Sequence, residues 1–404
     1  MCDPACPNLF QPLTIRGRSL KNRIMSTGHD TCLPDHGKVN DAYIAYQERR
    51  AAGGVGLIVT QVAGVHETAR YTSHLIMATT DDCIPGYAEL ARRCHAHGAV
   101  VVAQLFHPGR EIMETADGMQ AVAWSASASP NERFRVMPRE MPVPMIAEVV
   151  QGFADAARRI KAAGMDGAEL VASHGYLPAQ FLNPRVNRRS DQYGGSAENR
   201  LRLMVEALEA MRAAAGEDFI LGLRISAGER DEDGLTADEA LAAARALGDR
   251  IDYVSVTVGT SASLGGAMHI AAPMNFAAGY TAPMAQPYKQ ALNVPVFVVG
   301  RINQPQEAEQ IIAKGLADGC GMTRALICDP EMPSKAGAGR FDDIRACIGC
   351  NQACIHHFHR GIPISCIQHP ESGRETVFPQ HPAADHPRRV MVIGGGPAGL
   401  KAAA

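Results

Sequence analysis

The sequence predicts an α/β fold, a TIM-type (β/α)8 barrel with two appendages at its C-terminal end, and three observations predict it. Short apolar runs alternate eight times with amphipathic helical patterns. The runs are nearly continuous in Val, Ile, Leu and Ala, as expected of strands buried on both faces of a parallel sheet. After the eighth pair come a group of cysteines and a strand-like run that enters a glycine motif.

Taken in order, the runs are Arg23–Thr27, Gly56–Thr60, Val100–Phe106, Gly167–Ala172, Phe219–Ser226, Tyr253–Val258, Val294–Val299 and Ala317–Met322. Helical patterns between them include Ala42–Ala52, Pro85–His97, Ile146–Ala163, Ala197–Ala214, Ala237–Leu247 and Gln306–Lys314. Eight βα units close naturally into a barrel, and an open doubly wound sheet is the alternative that periodicity leaves. Residues 1–343 are assigned to the barrel, 344–378 to the cysteine-bearing segment and 379–404 to an incomplete third unit.

In a barrel the chemistry sits where strands end, so the residues after each run carry the most information. The third run leads through Gln104 to His107, the fourth is followed by Ser173-His174-Gly175-Tyr176, and the fifth contains Arg224, a cation in an otherwise apolar strand. The seventh ends in Gly300-Arg301 and the eighth in Gly321-Met322-Thr323-Arg324. Glycines there let backbone N–H groups approach a phosphate closely. Singly, each residue also has a structural reading: Arg224 paired with a buried acid, Gln104 capping a strand, His107, His174 or Tyr176 simply packed. Their shared placement at strand ends argues for a site.

Cys347, Cys350, Cys354 and Cys366 stand in the spacing C-x2-C-x3-C-x11-C, which suits the thiolate ligands of a 4Fe-4S cluster. Zinc is the rival, since His356, His357 and His359 offer nitrogen ligands nearby. Farther on, Arg389–Ile393 reads as a strand leading into Gly394, Gly396 and Gly399, the G-x-G-x-x-G of a dinucleotide fingerprint at a helix start. The acidic residue expected about 20 positions later would fall beyond Ala404. This unit is therefore read as the first β-α unit of a Rossmann-like domain in a truncated form of a longer enzyme.

The 404 residues carry a formal net charge of −3, which favours neither nucleic acid nor an anionic membrane surface as partner. No apolar run is long enough to span a bilayer. Met1-Cys2-Asp3-Pro4 lacks the basic and apolar regions of an export signal, and 11 cysteines, an odd and mostly scattered set, make a poor disulfide framework. These features point to the cytoplasm. A small-molecule substrate is the expected partner, and a homo-oligomer is compatible.

The barrel resembles the Old Yellow Enzyme family of FMN flavoproteins, and barrel plus cysteines resemble its iron–sulfur branch, which includes 2,4-dienoyl-CoA reductase and trimethylamine dehydrogenase. The resemblance runs through Leu20–Ser26, Gln104–Arg110, Gln180–Pro184, Asn187–Ser196 with Glu198-Asn199-Arg200, and Cys347–Cys354. It implies FMN contacting Ser26, Thr27 and Gly28, with Gln104 on the pyrimidine edge and Arg224 near N1. It places the phosphate on Gly300, Arg301, Gly321 and Arg324. Tyr176 matches the position that protonates the substrate α-carbon after hydride arrives from flavin N5, with His174 beside it, and His29 matches a position beside the flavin. FAD and NAD(P)H domains follow in relatives, linked to FMN by the cluster.

Two departures bear on substrate. Val171 stands where the family usually places the first of two carbonyl-binding residues. Val62 and Leu264 occupy two positions of the aromatic bowl of trimethylamine dehydrogenase, the only Trp is Trp124, and Asp30 replaces its flavin-linking Cys, with Cys32 two residues on. The favoured function is NAD(P)H-dependent reduction of an activated C=C bond, as in an enoate or dienoyl thioester. The alternative is oxidative N-demethylation of a methylated amine or amino acid, passing electrons through the cluster. A bare electron-transfer subunit ranks third, because it needs no His/Tyr pair at the flavin face.

Overall fold

The computed structural model describes residues 6–113, 121–378, 386 and 388–403. Residues 1–5, which include Met1–Pro4, together with 114–120, 379–385, 387 and 404, lie outside the described residues. The eight runs all form strands: β1 Ile24–Ser26, β2 Leu57–Gly64, β3 Val100–Phe106, β4 Gly167–Ala172, β5 Ile220–Ser226, β6 Tyr253–Thr257, β7 Val296–Val299 and β8 Gly319–Gly321. They pair in parallel in chain order, and β1 pairs with both β2 (Met25 opposite Leu57) and β8 (Ile24 opposite Cys320). The sheet therefore closes, which excludes the open doubly wound alternative.

The helices lie outside: α1 Asp41–Ala52, α2 Ile84–His95, α3 Val143–Ala162, α4 Ala197–Ala215, α5 Ala237–Leu247, α6 Ala282–Ala291, α7 Pro305–Ala313 and α8 Thr323–Cys328. Their starts are chemically marked. Asn40 accepts from Tyr43 N, Ser196 from Asn199 N, and Thr236 with Glu239 forms a reciprocal capping box. Sequence boundaries shift where side chains compete. β2 runs past Thr60 to Gly64 through a register slip between Val59 and Val62, which frees Gln61 to accept from Thr31 Oγ1 at 2.8 Å. A further short helix, Leu264–Ile270, lies between β6 and α6.

One element escaped the sequence reading. Leu13–Ile15 and Arg18–Leu20 form a hairpin turned by Arg16 and Gly17, both at positive φ (46° and 77°) as a two-residue hairpin loop demands. Its Ile15 and Leu20 pack against Leu57, Val100, Ile220 and Tyr253, the opening residues of their strands or close to them. The N-terminal end of the barrel is thus plugged, and access is confined to the opposite end.

One buried cation stands out among the contacts that dock the cysteine segment on the barrel. Arg50 of α1 donates to Glu375 Oε1 at 2.7 Å, Ser372 Oγ at 2.9 Å and the Tyr46 carbonyl at 2.6 Å, and stacks 3.3 Å from the Tyr46 ring centre. Removing it strands Glu375 with little solvent. Arg50→Met is expected to cost about 3–5 kcal/mol in denaturant unfolding and to expose residues 344–378 to proteolysis. A loss under about 1 kcal/mol would show that the segment docks without this pair.

The third unit differs from expectation in one respect. The helix at Pro397–Ala403 forms, and a Cβ on Gly399 would meet the Gly394 carbonyl at 1.9 Å, the close packing a fingerprint glycine permits. The apolar run before it forms no strand, and Val390, Met391 and Ile393 are exposed. A strand needs a neighbouring strand for its backbone groups, and among the described residues none lies beside this run.

Candidate active site

Strand ends at the open side of the barrel converge on one cleft of about 1290 Å³ free of protein atoms. Of the residues predicted from sequence, Thr27, Gly28, His29, Gln104, His174, Tyr176 and Arg224 line it, as do Gly300, Arg301, Gly321 and Arg324. Ser26 is buried behind the wall, its hydroxyl without a partner. Gly394 and Gly396, just before the C-terminal helix, and Gly399 within it stand apart from the cleft.

The floor is a polar network. Gln104 Nε2 donates to Glu169 Oε1 at 2.5 Å, and Tyr253 OH donates to Glu169 Oε2 at 2.9 Å. Arg224, whose guanidinium is held below its ordinary pKa by burial and supported by the Glu169 charge, leaves Nη1 without a partner. A buried donor left open costs free energy unless a ligand satisfies it. His174 likewise leaves Nδ1 open while its ring hydrogen-bonds the Gly259 backbone. Its backbone sits at φ 61°, an uncommon conformation for a non-glycine that turns the side chain at the end of β4. Burial, helped by Arg224, pushes the imidazole down to about 3, so it is neutral.

At the β7 and β8 ends, Gly300 takes φ 151° and Arg301 φ 49°, and a Cβ on Gly300 would meet Thr281 Cγ2 at 2.4 Å. Arg301 Nε and Thr281 Oγ1 are buried and unpartnered. Arg324 Nη1 donates to the Ala272 carbonyl and to Asn351 Oδ1, both at 2.8 Å, which ties this corner to the cysteine loop. Thr27 N donates to Thr323 Oγ1 at 3.0 Å, fixing the β1 and β8 ends together.

His29 has both ring nitrogens engaged. Nδ1 lies 2.8 Å from the Thr27 carbonyl and so carries the hydrogen, and Nε2 then accepts from Tyr46 OH at 2.7 Å. Burial holds this ring at about 4. It forms wall and has no nitrogen to spare for a substrate.

Tyr176 opens the short helix Leu177–Leu182, with Phe106 edge-on at 5.0 Å and Tyr71 at 6.5 Å between ring centres. Burial, then the charges of Asp30 and Glu111, raise its phenol well above 10, so it is fully protonated. Tyr71 OH donates to Asp30 Oδ2 in a short hydrogen bond. Burial lifts the Asp30 carboxyl to about 6 even though Tyr71 and His74 favour its ionised form.

The four cysteines are half-buried free thiols, and Gly349 N donates to Cys347 Sγ at 3.4 Å. Cys354 reaches the cleft wall beside Ile355 and Phe358. Among the described residues no three His, Cys, Asp or Glu side chains converge on a single-ion site. His357 Nδ1 faces the Pro363 carbonyl at 3.0 Å and His359 Nε2 faces Arg133 at 3.4 Å. Thiols around a cubane stand farther apart than ligands of one ion, so four half-buried thiols in one loop system suit a cluster.

Glu169, Tyr71 and Arg133 were missed. Glu169 had a signal, since an acid within the apolar run Gly167–Ala172 is as anomalous as Arg224 in the next strand. Tyr71 and Arg133 lie on loops with no local mark.

Residues 8–343 match the model of the NADH:flavin oxidoreductase / NADH oxidase family. The chain is 38% identical over 402 residues to an NADH oxidase of Thermoanaerobacter brockii, covering 98% of this chain and 61% of that protein. It is 36% identical to an N,N-dimethylglycine/sarcosine dehydrogenase of Chromohalobacter salexigens over 98% of this chain and 58% of that one. A solved 2-naphthoyl-CoA reductase in complex with 2-naphthoyl-CoA superposes with a TM-score of 0.89 at 32% identity, covering 98% of this chain and 62% of that one. The chain thus spans about three fifths of the length of these relatives.

Proposed function

This chain belongs to the NADH:flavin oxidoreductase / NADH oxidase family, and from that premise we propose that its cleft holds FMN and reduces an activated C=C bond, an enoate or dienoyl thioester. The open donors Arg224 Nη1 and Arg301 Nε, with the open acceptor His174 Nδ1, fit a ligand with a polar ring edge and a phosphate. When bound, FMN supplies hydride chemistry and a 4Fe-4S cluster on Cys347, Cys350, Cys354 and Cys366 supplies one-electron transfer. FAD and NAD(P)H belong to the longer protein of this kind and are part of the same proposal.

The observation that carries the reading is the protonated phenol of Tyr176 on the cleft wall. The α-carbon of an enolate is far more basic than a phenolate, so Tyr176 can give up its proton there despite its raised pKa. Arg224 keeps a fixed positive charge at the floor and favours an anionic reduced ring. Gln104, pinned by Glu169, orients a ring edge. Phe106 and Tyr71 exclude water around the phenol.

A second reading, oxidative N-demethylation, draws on Asp30. Amine oxidation requires the neutral amine, and a cleft carboxylate ionised above about pH 6 can take the ammonium proton. The similarity to a dimethylglycine/sarcosine dehydrogenase supports it. Under this reading flavin bleaching by N-methylated amines rises with pH through about 6, and Asp30→Asn removes that limb. Alkene reduction by Tyr176 has no such limb. The deciding experiment is anaerobic flavin spectroscopy of the holoprotein: reoxidation of photoreduced flavin by a dienoyl-CoA establishes the first reading, and bleaching of oxidised flavin by an amine replaces it with the second.

A further inference from the structure

One cation at the cleft is not answered by any acid. Arg133 lines the cleft half-buried, its Nη2 3.4 Å from His359 Nε2 and its guanidinium carbon 4.8 Å from the Phe134 ring centre. Among the described residues it forms no ion pair, whereas Arg301 and Arg324 at the far corner serve the proposed phosphate. Glu111 is the acid whose charge it feels, and that carboxyl is already held by Asn131 Nδ2 at 2.7 Å, with Arg110 Nε at 3.8 Å. Burial lifts Glu111 to about 8, so it is mostly uncharged at neutral pH and leaves the guanidinium uncompensated.

The loop that carries Arg133 is built to hold it still. Asn131 and Val136 exchange backbone hydrogen bonds of 2.8 and 3.2 Å, Phe134 N donates to Asn131 Oδ1 at 2.8 Å, and Arg133 N donates to the Ala262 carbonyl at 3.2 Å. The Asn131 side chain that closes the turn is the same one anchored on Glu111. A guanidinium fixed in advance, partly desolvated and lacking a counter-charge matches the geometry of a carboxylate, which it can grip through two N–H groups.

We propose that Arg133 is an anion clamp that selects carboxylate-bearing substrates, holding the carboxylate while the reacting carbon lies toward Tyr176. This deepens the proposed function and rests on the cleft being its substrate site. It holds for an unsaturated acid and for an N-methylated amino acid, and it disfavours uncharged enones, acyl thioesters and simple amines, so of the two alkene classes proposed above it selects the enoate.

The test titrates the FMN-loaded protein with benzoate, benzamide and phenyl phosphate, read by perturbation of the flavin absorbance, in wild type, Arg133→Gln and Arg133→Lys. Benzoate is expected to bind at least about tenfold tighter than benzamide in wild type, the gain of one charge-assisted hydrogen bond. That preference should vanish in Arg133→Gln and return in part in Arg133→Lys. A preference that survives in Arg133→Gln, or equal binding of acid and amide in wild type, overturns the clamp and leaves the substrate site standing. Phenyl phosphate binding tighter than benzoate overturns the carboxylate assignment in favour of a phosphate. A flavin that senses none of the three refutes both the clamp and the substrate-site reading.

Discussion

Tyr176→Phe is expected to slow reoxidation of reduced flavin by an activated alkene by about 10²-fold or more while leaving flavin reduction unchanged. The substitution removes one hydroxyl and keeps the ring, so the edge-on packing against Phe106 and Tyr71 survives and the effect reports the proton. The hydroxyl has no stand-in. His174 is neutral with its ring bonded to the Gly259 backbone, and both nitrogens of His29 are engaged. Stopped-flow measurement of the two half-reactions separates the outcomes. Slow reoxidation with normal reduction assigns the proton to Tyr176, unchanged reoxidation removes it from the mechanism, and slowing of both indicates a displaced flavin.

Cys350→Ser is expected to abolish the cluster's visible absorbance and electron-spin signal while FMN remains bound. The separation follows from where the two groups would be held. The residues proposed to face the flavin come from barrel strand ends, Thr27, Gln104 and Arg224 among them, whereas Cys350 lies in the appended segment and does not line the cleft. Several contacts couple the regions, among them Arg324 to Asn351, Asn351 to the Ala271 carbonyl, and Cys354, Ile355 and Phe358 at the cleft wall. Retained FMN with lost cluster absorbance would show that these contacts are dispensable for the flavin. Loss of both would make the cysteine loop part of the FMN site, and an intact cluster would remove Cys350 from the ligand set.

Much of the site was legible because its marks are local. A cation in an apolar strand, glycines after strands seven and eight, and four cysteines within 20 residues can each be seen without knowing the fold. Glu169 could have been seen in the same way. Asp30 was noticed only as a replacement, and its charge state depends on Tyr71, 41 positions away, and on the burial that the barrel mouth imposes. The apolar run before Gly394 shows the reverse case, a pattern that reads as strand but has no pairing partner among the described residues.

By itself the sequence determined the eight strands, the helix starts, the polar residues at strand ends and the cysteine spacing. These follow from apolar periodicity, capping chemistry and ligand type, all set within about a dozen neighbouring residues. Only the tertiary structure decided that the sheet closes through β1 and β8, that a hairpin plugs one end and that Arg50 holds Glu375 across 325 positions. It also decided that Arg133 faces the cleft with no ion pair among the described residues. Those features join residues distant in the chain, and their energies arise from burial and charge compensation, which exist only once the chain has folded.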